Sequence, residues 1–267
     1  MKKLIYLLMS LSFVAFASCS EDKEKTSSNG GSSVYKSGTQ DGHDYVDLGL
    51  PSGTKWATCN VGATKPEEFG NFYAWGETTT KSTYSWGTYK YGNARNELTK
   101  YCNSSSHGKD GFADNKTTLD LSDDAAYVNW GGAWRMPTNT QQDELRSQCY
   151  WVWTESYNNS NVKGYLVYKT KNSNDKGVKV YANGTQSSSY TLSDAHIFLP
   201  AAGGSGSDAF FMGFPGSSGY YWSSSPSVDD LFCGYAWIVL FDLDHVNDNY
   251  QKYGERFVGL SVRAVFK

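Results

Sequence analysis

The sequence predicts an α+β domain of short strands and two helices with long loops, and three observations carry that expectation. Aromatic residues make up 16% of the chain, glycines number 27, and only 19% of residues are charged. That balance suits strands joined by glycine-rich turns better than a helical bundle. Apolar residues also alternate with polar ones in short runs bounded by Gly, Pro, Asn and Asp, the pattern of half-buried strands. Two segments instead carry helix-start chemistry.

Taken in order, Tyr45 to Leu50 alternates and stops at Pro51-Ser52-Gly53, a turn sequence. Lys55 to Thr58, Phe72 to Trp75, Trp151 to Thr154 and Gly164 to Tyr168 are further strand candidates. Ile197 to Leu199 runs into Pro200, Gly219 to Trp222 is aromatic, and Ala236 to Phe241 is strongly apolar. In Gly259 to Phe266, Leu260, Val262, Ala264 and Phe266 share one face at period two. The first helix is expected over Ser122 to Val128, with Ser122 as cap and two acids in its first turn. The second follows Pro137: Thr138 caps it, Gln141 completes a capping box, and Leu145 and Cys149 share a face.

The N-terminus reads as an export signal. Lys2 and Lys3 precede an almost uncharged apolar run from Leu4 to Ala17, too short to span a membrane, and the small pair Ala17-Ser18 then meets Cys19. This arrangement resembles a lipoprotein signal peptide over residues 1–18, which implies lipidation of Cys19. The simpler alternative is an ordinary cleaved signal beside an incidental cysteine. Residues 19–40 are rich in charge, Ser, Gly and Asn, bury almost no apolar surface and are expected to form a flexible tether. The acids directly after Cys19 resemble the surface-export signal of Bacteroidota lipoproteins, which implies display at the outer membrane. A plain solvated linker is the competing reading. Residues 41–267 then form one domain, with no second linker and no fixed repeat.

The net charge of −3, without any Lys/Arg cluster, argues against nucleic acid or a polybasic membrane contact as partner. No G-x-S-x-G occurs, and the glycine run Gly204 to Ala209 is followed by three more glycines and Pro215, so no phosphate-binding helix can follow it. His43, His107, His196 and His245 form no metal spacing, and Cys59, Cys102, Cys149 and Cys233 form no C-x-x-C pair. Disulfides and buried free thiols both remain open for these four. The acidic stretch Asp242 to Asn249 invites a calcium reading, but it lacks the EF-hand glycine. A solvated polar loop fits it better, so neither a metal nor a cofactor is expected, and no enzyme.

One longer resemblance organises these motifs. Val46-Asp47-Leu48-Gly49-Leu50-Pro51-Ser52-Gly53-Thr54-Lys55-Trp56-Ala57-Thr58-Cys59-Asn60-Val61-Gly62-Ala63 opens the series, followed by Tyr73-Ala74-Trp75-Gly76-Glu77 and Trp130-Gly131-Gly132-Ala133-Trp134-Arg135-Met136-Pro137-Thr138. Phe198-Leu199-Pro200-Ala201-Ala202-Gly203, Tyr221-Trp222-Ser223-Ser224-Ser225 and Gly259-Leu260-Ser261-Val262-Arg263 complete it. Together they resemble the Fibrobacter succinogenes major paralogous domain, and more distantly the C-type-lectin-like fold of formylglycine-generating enzymes. The resemblance implies that fold but not that chemistry, which needs a pair of reactive cysteines near the C-terminal end where only Cys233 lies. Trp56, Trp75, Trp134, Trp222, Arg135 and Arg263 are read as core architecture, the arginines paired with a carboxylate or with backbone carbonyls.

Two functions then compete: a surface-displayed receptor or adhesin for a protein or glycan ligand, and a structural or assembly subunit of the envelope or a fimbria. Asp229 to Val258 also resembles the variable region of a diversity-generating retroelement target. That resemblance implies a ligand surface of Asp229, Asp230, Leu231, Phe232, Tyr235, Ile238, Leu240, Asp242, Asp244, His245, Phe257 and Val258, all reachable from an asparagine codon by changes at its adenines. Trp237, Gln251, Lys252 and Glu255 are not reachable and are expected to be framework. In Ala236 to Phe241 this reading turns Val239 and Phe241 inward and Ile238, Leu240 and Asp242 outward; the alternative is a strand buried on both faces.

Overall fold

The computed structural model describes residues 35–187, 189–206, 215–228, 233–246 and 253–267, and within them the chain is α+β. In chain order the strands are β1 Gly38–Gln40, β2 His43–Val46, β3 Lys55–Asn60, β4 Cys149–Thr154, β5 Gly164–Lys169 and β6 Lys179–Val180. They continue with β7 His196–Pro200, β8 Ser218–Pro226, β9 Tyr235–Asp242, β10 Tyr253–Glu255 and β11 Arg263–Phe266. Helix α1 spans Ala125–Trp130 and α2 spans Asn139–Gln148. No helix among the described residues is long and apolar enough to cross a membrane.

The strands form three sheets, ordered β1-β2-β3-β11, β6-β4-β5-β7 and β10-β9-β8. The β1–β2 hairpin turns through Asp41 and Gly42, both at positive φ, which is the primed turn that matches strand twist. This hairpin corrects the expected tether, because Gly38–Gln40 is already sheet and Tyr35 packs against the core. The strand expected over Tyr45 to Leu50 ends at Val46, where the Asp47 carboxylate accepts the Gly49 N–H at 2.8 Å and starts a turn. Phe72 to Trp75 makes only one isolated bridge, Tyr73 to Leu260.

Helix α2 starts as expected, with both capping-box bonds between Thr138 and Gln141 formed. It ends sooner: Cys149 is the first residue of β4, although it still shares a core with Leu145. Helix α1 is capped by Asp124 and not by Ser122, which lies in a separate 3-10 turn, Leu121–Asp123. The Asp124 carboxylate accepts the N–H groups of both Tyr127 and Met136, so it closes a tertiary contact as well as a helix end.

Period-two strands explain where the cores lie. In β4, Cys149, Trp151 and Trp153 face the second of three cores while Tyr150 and Val152 face the third; β5 repeats this with Tyr165 and Val167 against Leu166 and Tyr168. Leu260, Val262 and Ala264 share the first core with Phe266 packed on it, as the alternation required. Trp134 and Trp222 lie in that same core, both fully buried.

Arg263 is fully buried and meets no carboxylate among the described residues. It donates instead to Asn60 Oδ1 at 2.9 Å and to the carbonyls of Ala57, Thr58 and Phe198 at 3.1, 2.7 and 2.8 Å. A guanidinium spreads its charge over such a fan of acceptors, which ties β3, β7 and β11 together. The cysteines Cys59, Cys102, Cys149 and Cys233 are free thiols, and burial raises the Cys59 and Cys149 thiols above their ordinary value.

Candidate ligand-binding face

The small sheet β10-β9-β8 carries half of the sequence-predicted surface that falls on described residues: Tyr235, Ile238, Leu240 and Asp242 in β9. Cys19, Asp229, Asp230, Leu231 and Phe232 lie outside the described residues. Of the others, Ile238, Phe257 and Val258 are 4%, 1% and 8% exposed and belong to the first core, so they are not ligand contacts. Leu240 is half-buried and packs on the same core. Val239 and Phe241 do point inward as expected, but into the second core. Strand β9 is therefore covered on both faces over Ile238 to Phe241. Two aliphatic side chains that alternation placed in water are instead covered by residues from distant parts of the chain.

The outward part of β9 is its first turn of pleat. Tyr235 and Trp237 share parity with Val239 and Phe241 but lie beyond the edge of the second core, and both are half-buried. Their cross-strand partners in β10 are Glu255 and Tyr253. The Trp237 and Tyr253 rings stand 4.5 Å apart at 58°, a tilted pair. At the other end, burial and the neighbouring Glu255 carboxylate raise the Tyr235 phenol above its ordinary value, while Arg95 pulls it down. The face thus offers two aromatic rings beside a phenol and a carboxylate, Tyr235 and Glu255. Sequence reasoning treated Trp237 and Glu255 as framework and passed over Tyr253. The signal available was the pairing of an aromatic-Gly-acid triplet with Tyr235 to Trp237, which needs the strand register to be known.

The sheet's inner side fixes this face. Gly254 faces the core, where a Cβ would fall 2.9 Å from Trp222 Cη2, so only glycine lets β10 lie so close to the indole. Trp222 is held in turn by its Nε1 bond to the Tyr73 carbonyl at 2.8 Å. Arg256 is fully buried beneath the start of β9, with Nε donating to the Tyr235 carbonyl at 3.0 Å and Nη1 to the Tyr101 carbonyl at 2.9 Å. Its guanidinium lies 4.7 Å over the Trp75 ring. A weakly hydrated, planar cation suits this setting where an ammonium would not. Burial nonetheless lowers its pKa from the ordinary value.

At the far end of β9, Asp242 Oδ1 accepts the N–H groups of Asp244 and His245 at 2.9 and 2.8 Å and contacts His245 Nδ1 at 3.1 Å. Asp242 therefore closes its own turn, which leaves the exposed Asp244 and His245 as the groups available to a partner. Among the described residues, no three His, Cys, Asp or Glu side chains gather as metal ligands. No family model, curated protein or solved structure matches the chain.

Proposed function

We propose that this chain is a lipid-anchored, surface-displayed binding module of the C-type-lectin-like type, and that it meets a protein or glycan ligand with the outward face of β9 and β10. The observation that carries this is the aromatic ribbon of Tyr235, Trp237 and Tyr253 with Glu255, half-buried at the edge of a sheet whose other strand faces are covered. Rigid aromatic side chains supply contact area at little entropic cost, the property that concentrates them in binding surfaces. The fold part of the reading is supported by the ordered tryptophan-glycine motifs and by the last strand closing onto the first sheet beside β3. The anchor rests on Lys2 to Cys19, and the outer-membrane location on the acids Glu21 and Asp22 just after it. The function so proposed is binding, without a catalytic step.

The test is a comparison of Trp237→Ala and Tyr253→Ala with the unaltered chain, on immobilised glycans and on intact cells. Loss of retention by about thirtyfold or more in either variant, with unchanged circular dichroism, is expected for a contact of about 2 kcal/mol. Equal retention by folded variants would remove the ribbon from the binding surface. Growth of mass with concentration in light scattering, abolished by the same substitutions, would assign the ribbon to assembly with further copies instead.

A further inference from the structure

The geometry points to a second binding site, for a small organic carboxylate with an apolar body, in the cleft between the α1 region and the C-terminal strand. This cleft of about 420 Å³ is walled by Leu119, Leu121, Met136 and Phe266, with Arg135 and Lys267 as its cationic residues. Leu121 is 46% exposed, one of few large apolar side chains left in that condition among the described residues. The site lies away from the β9–β10 ribbon and does not depend on it.

Arg135 supplies the recognition element. Its guanidinium carbon sits 4.2 Å over the Tyr127 ring, and Nη1 donates to the carbonyls of Gly132 and Trp134 at 3.1 and 2.5 Å. Its backbone is fixed by paired bonds with Val265, both at 2.8 Å. One face and one nitrogen are thus committed, while the edge formed by Nε and Nη2 makes no hydrogen bond or ion pair with the described residues. That edge is the two-pronged donor that matches a carboxylate, already oriented before any ligand arrives. Asp124, the acid at the cleft floor, does not compete for it: its oxygens accept the N–H groups of Tyr127 and Met136. The cleft therefore presents a cation with an open donor edge, its charge partly offset by the Asp124 carboxylate, beside a leucine-lined wall. An anion with an aromatic or aliphatic tail complements both halves, whereas a neutral or cationic molecule of the same shape complements only the wall.

Calorimetric titration of the folded chain with phenylacetate, indole-3-acetate and hexanoate tests this, with phenylacetamide and phenethylamine as uncharged and cationic counterparts. At least one carboxylate should bind saturably at one site, about tenfold or more tighter than its amide, the ratio expected of one charge-assisted pair. Arg135→Gln should abolish that preference. Leu121→Asp alters only an exposed wall residue, so it should weaken carboxylate binding by about tenfold or more while the urea midpoint stays in place. Absence of saturable binding by all three acids overturns the assignment. So does an amide that binds as well as its acid, or unchanged acid binding in folded Leu121→Asp.

Discussion

Trp222→Ala offers the most direct check on how the candidate face is supported. The indole is fully buried in the first core, donates to the Tyr73 carbonyl at 2.8 Å and lies against Gly254 of β10. Removing it leaves a cavity under the sheet that fixed neighbours cannot fill, a change that costs about 3–5 kcal/mol. The lost hydrogen bond adds little, because the Tyr73 carbonyl also accepts the Leu260 N–H at 3.0 Å and is not orphaned. In urea, with a slope near the upper end of the usual range for small domains, this corresponds to a midpoint lowered by roughly 1–2 M. Trp222→Phe keeps most of the volume and should fall between. Equilibrium unfolding followed by circular dichroism reads both shifts. A loss below about 1 kcal/mol for Trp222→Ala would refute the placement of this indole between Tyr73 and Gly254.

Other perturbations test other parts of the architecture. Arg263→Met deprives Asn60 and three carbonyls of their donor and should cost at least about 3 kcal/mol; Arg263→Lys should rescue little, since one ammonium cannot reach four acceptors spread over two strands. Burial lowers the pKa of His196, whose Nδ1 lies 2.8 Å from the Asp194 carbonyl, so the unfolded chain takes up its proton first as pH falls. The contribution of neutral His196 is thus intact above its ordinary value near 6.5 and is lost as pH drops below it. The thermal midpoint should therefore decline between neutral and mildly acid pH, and His196→Gln should flatten that decline; an equal slope in the variant would contradict it. Cys19→Ala should move the chain from the detergent phase to the aqueous phase, and retention with membranes would exclude lipidation as the anchor. Comparison of the gene across close isolates should find substitutions at Tyr235, Asp244 and His245 in excess of those at Ile238 and Phe257 if the segment is diversified for binding.

Local chemistry was legible in the sequence where a short stretch settles its own geometry. Thr138 and Gln141 form their capping box within one turn, and the alternation of Leu260, Val262 and Ala264 is resolved by one strand. Asp124 displaced Ser122 as cap because its carboxylate also collects the Met136 N–H, a contact that no local pattern encodes. The same limit governs β9. Period two correctly turned Val239 and Phe241 inward, but whether Ile238 meets water depends on the first core, assembled from segments as far away as Trp75 and Tyr84. Tyr253 was invisible for a related reason: a three-residue strand carries almost no periodic signal, and its meaning comes from its register with Trp237.

The double burial of β9 bears on how the molecule comes apart. Ile238 belongs to one core and Val239, its neighbour in the chain, to the other, so neither core can open while this strand stays in place. The strand acts as a party wall, and its loss exposes both rooms together. Unfolding should therefore be one cooperative event, with matching calorimetric and van 't Hoff enthalpies and a single slow hydrogen-exchange class spanning β4, β5 and β8. The part of the candidate face carried by β9 is therefore tied to this wall and should not loosen without it.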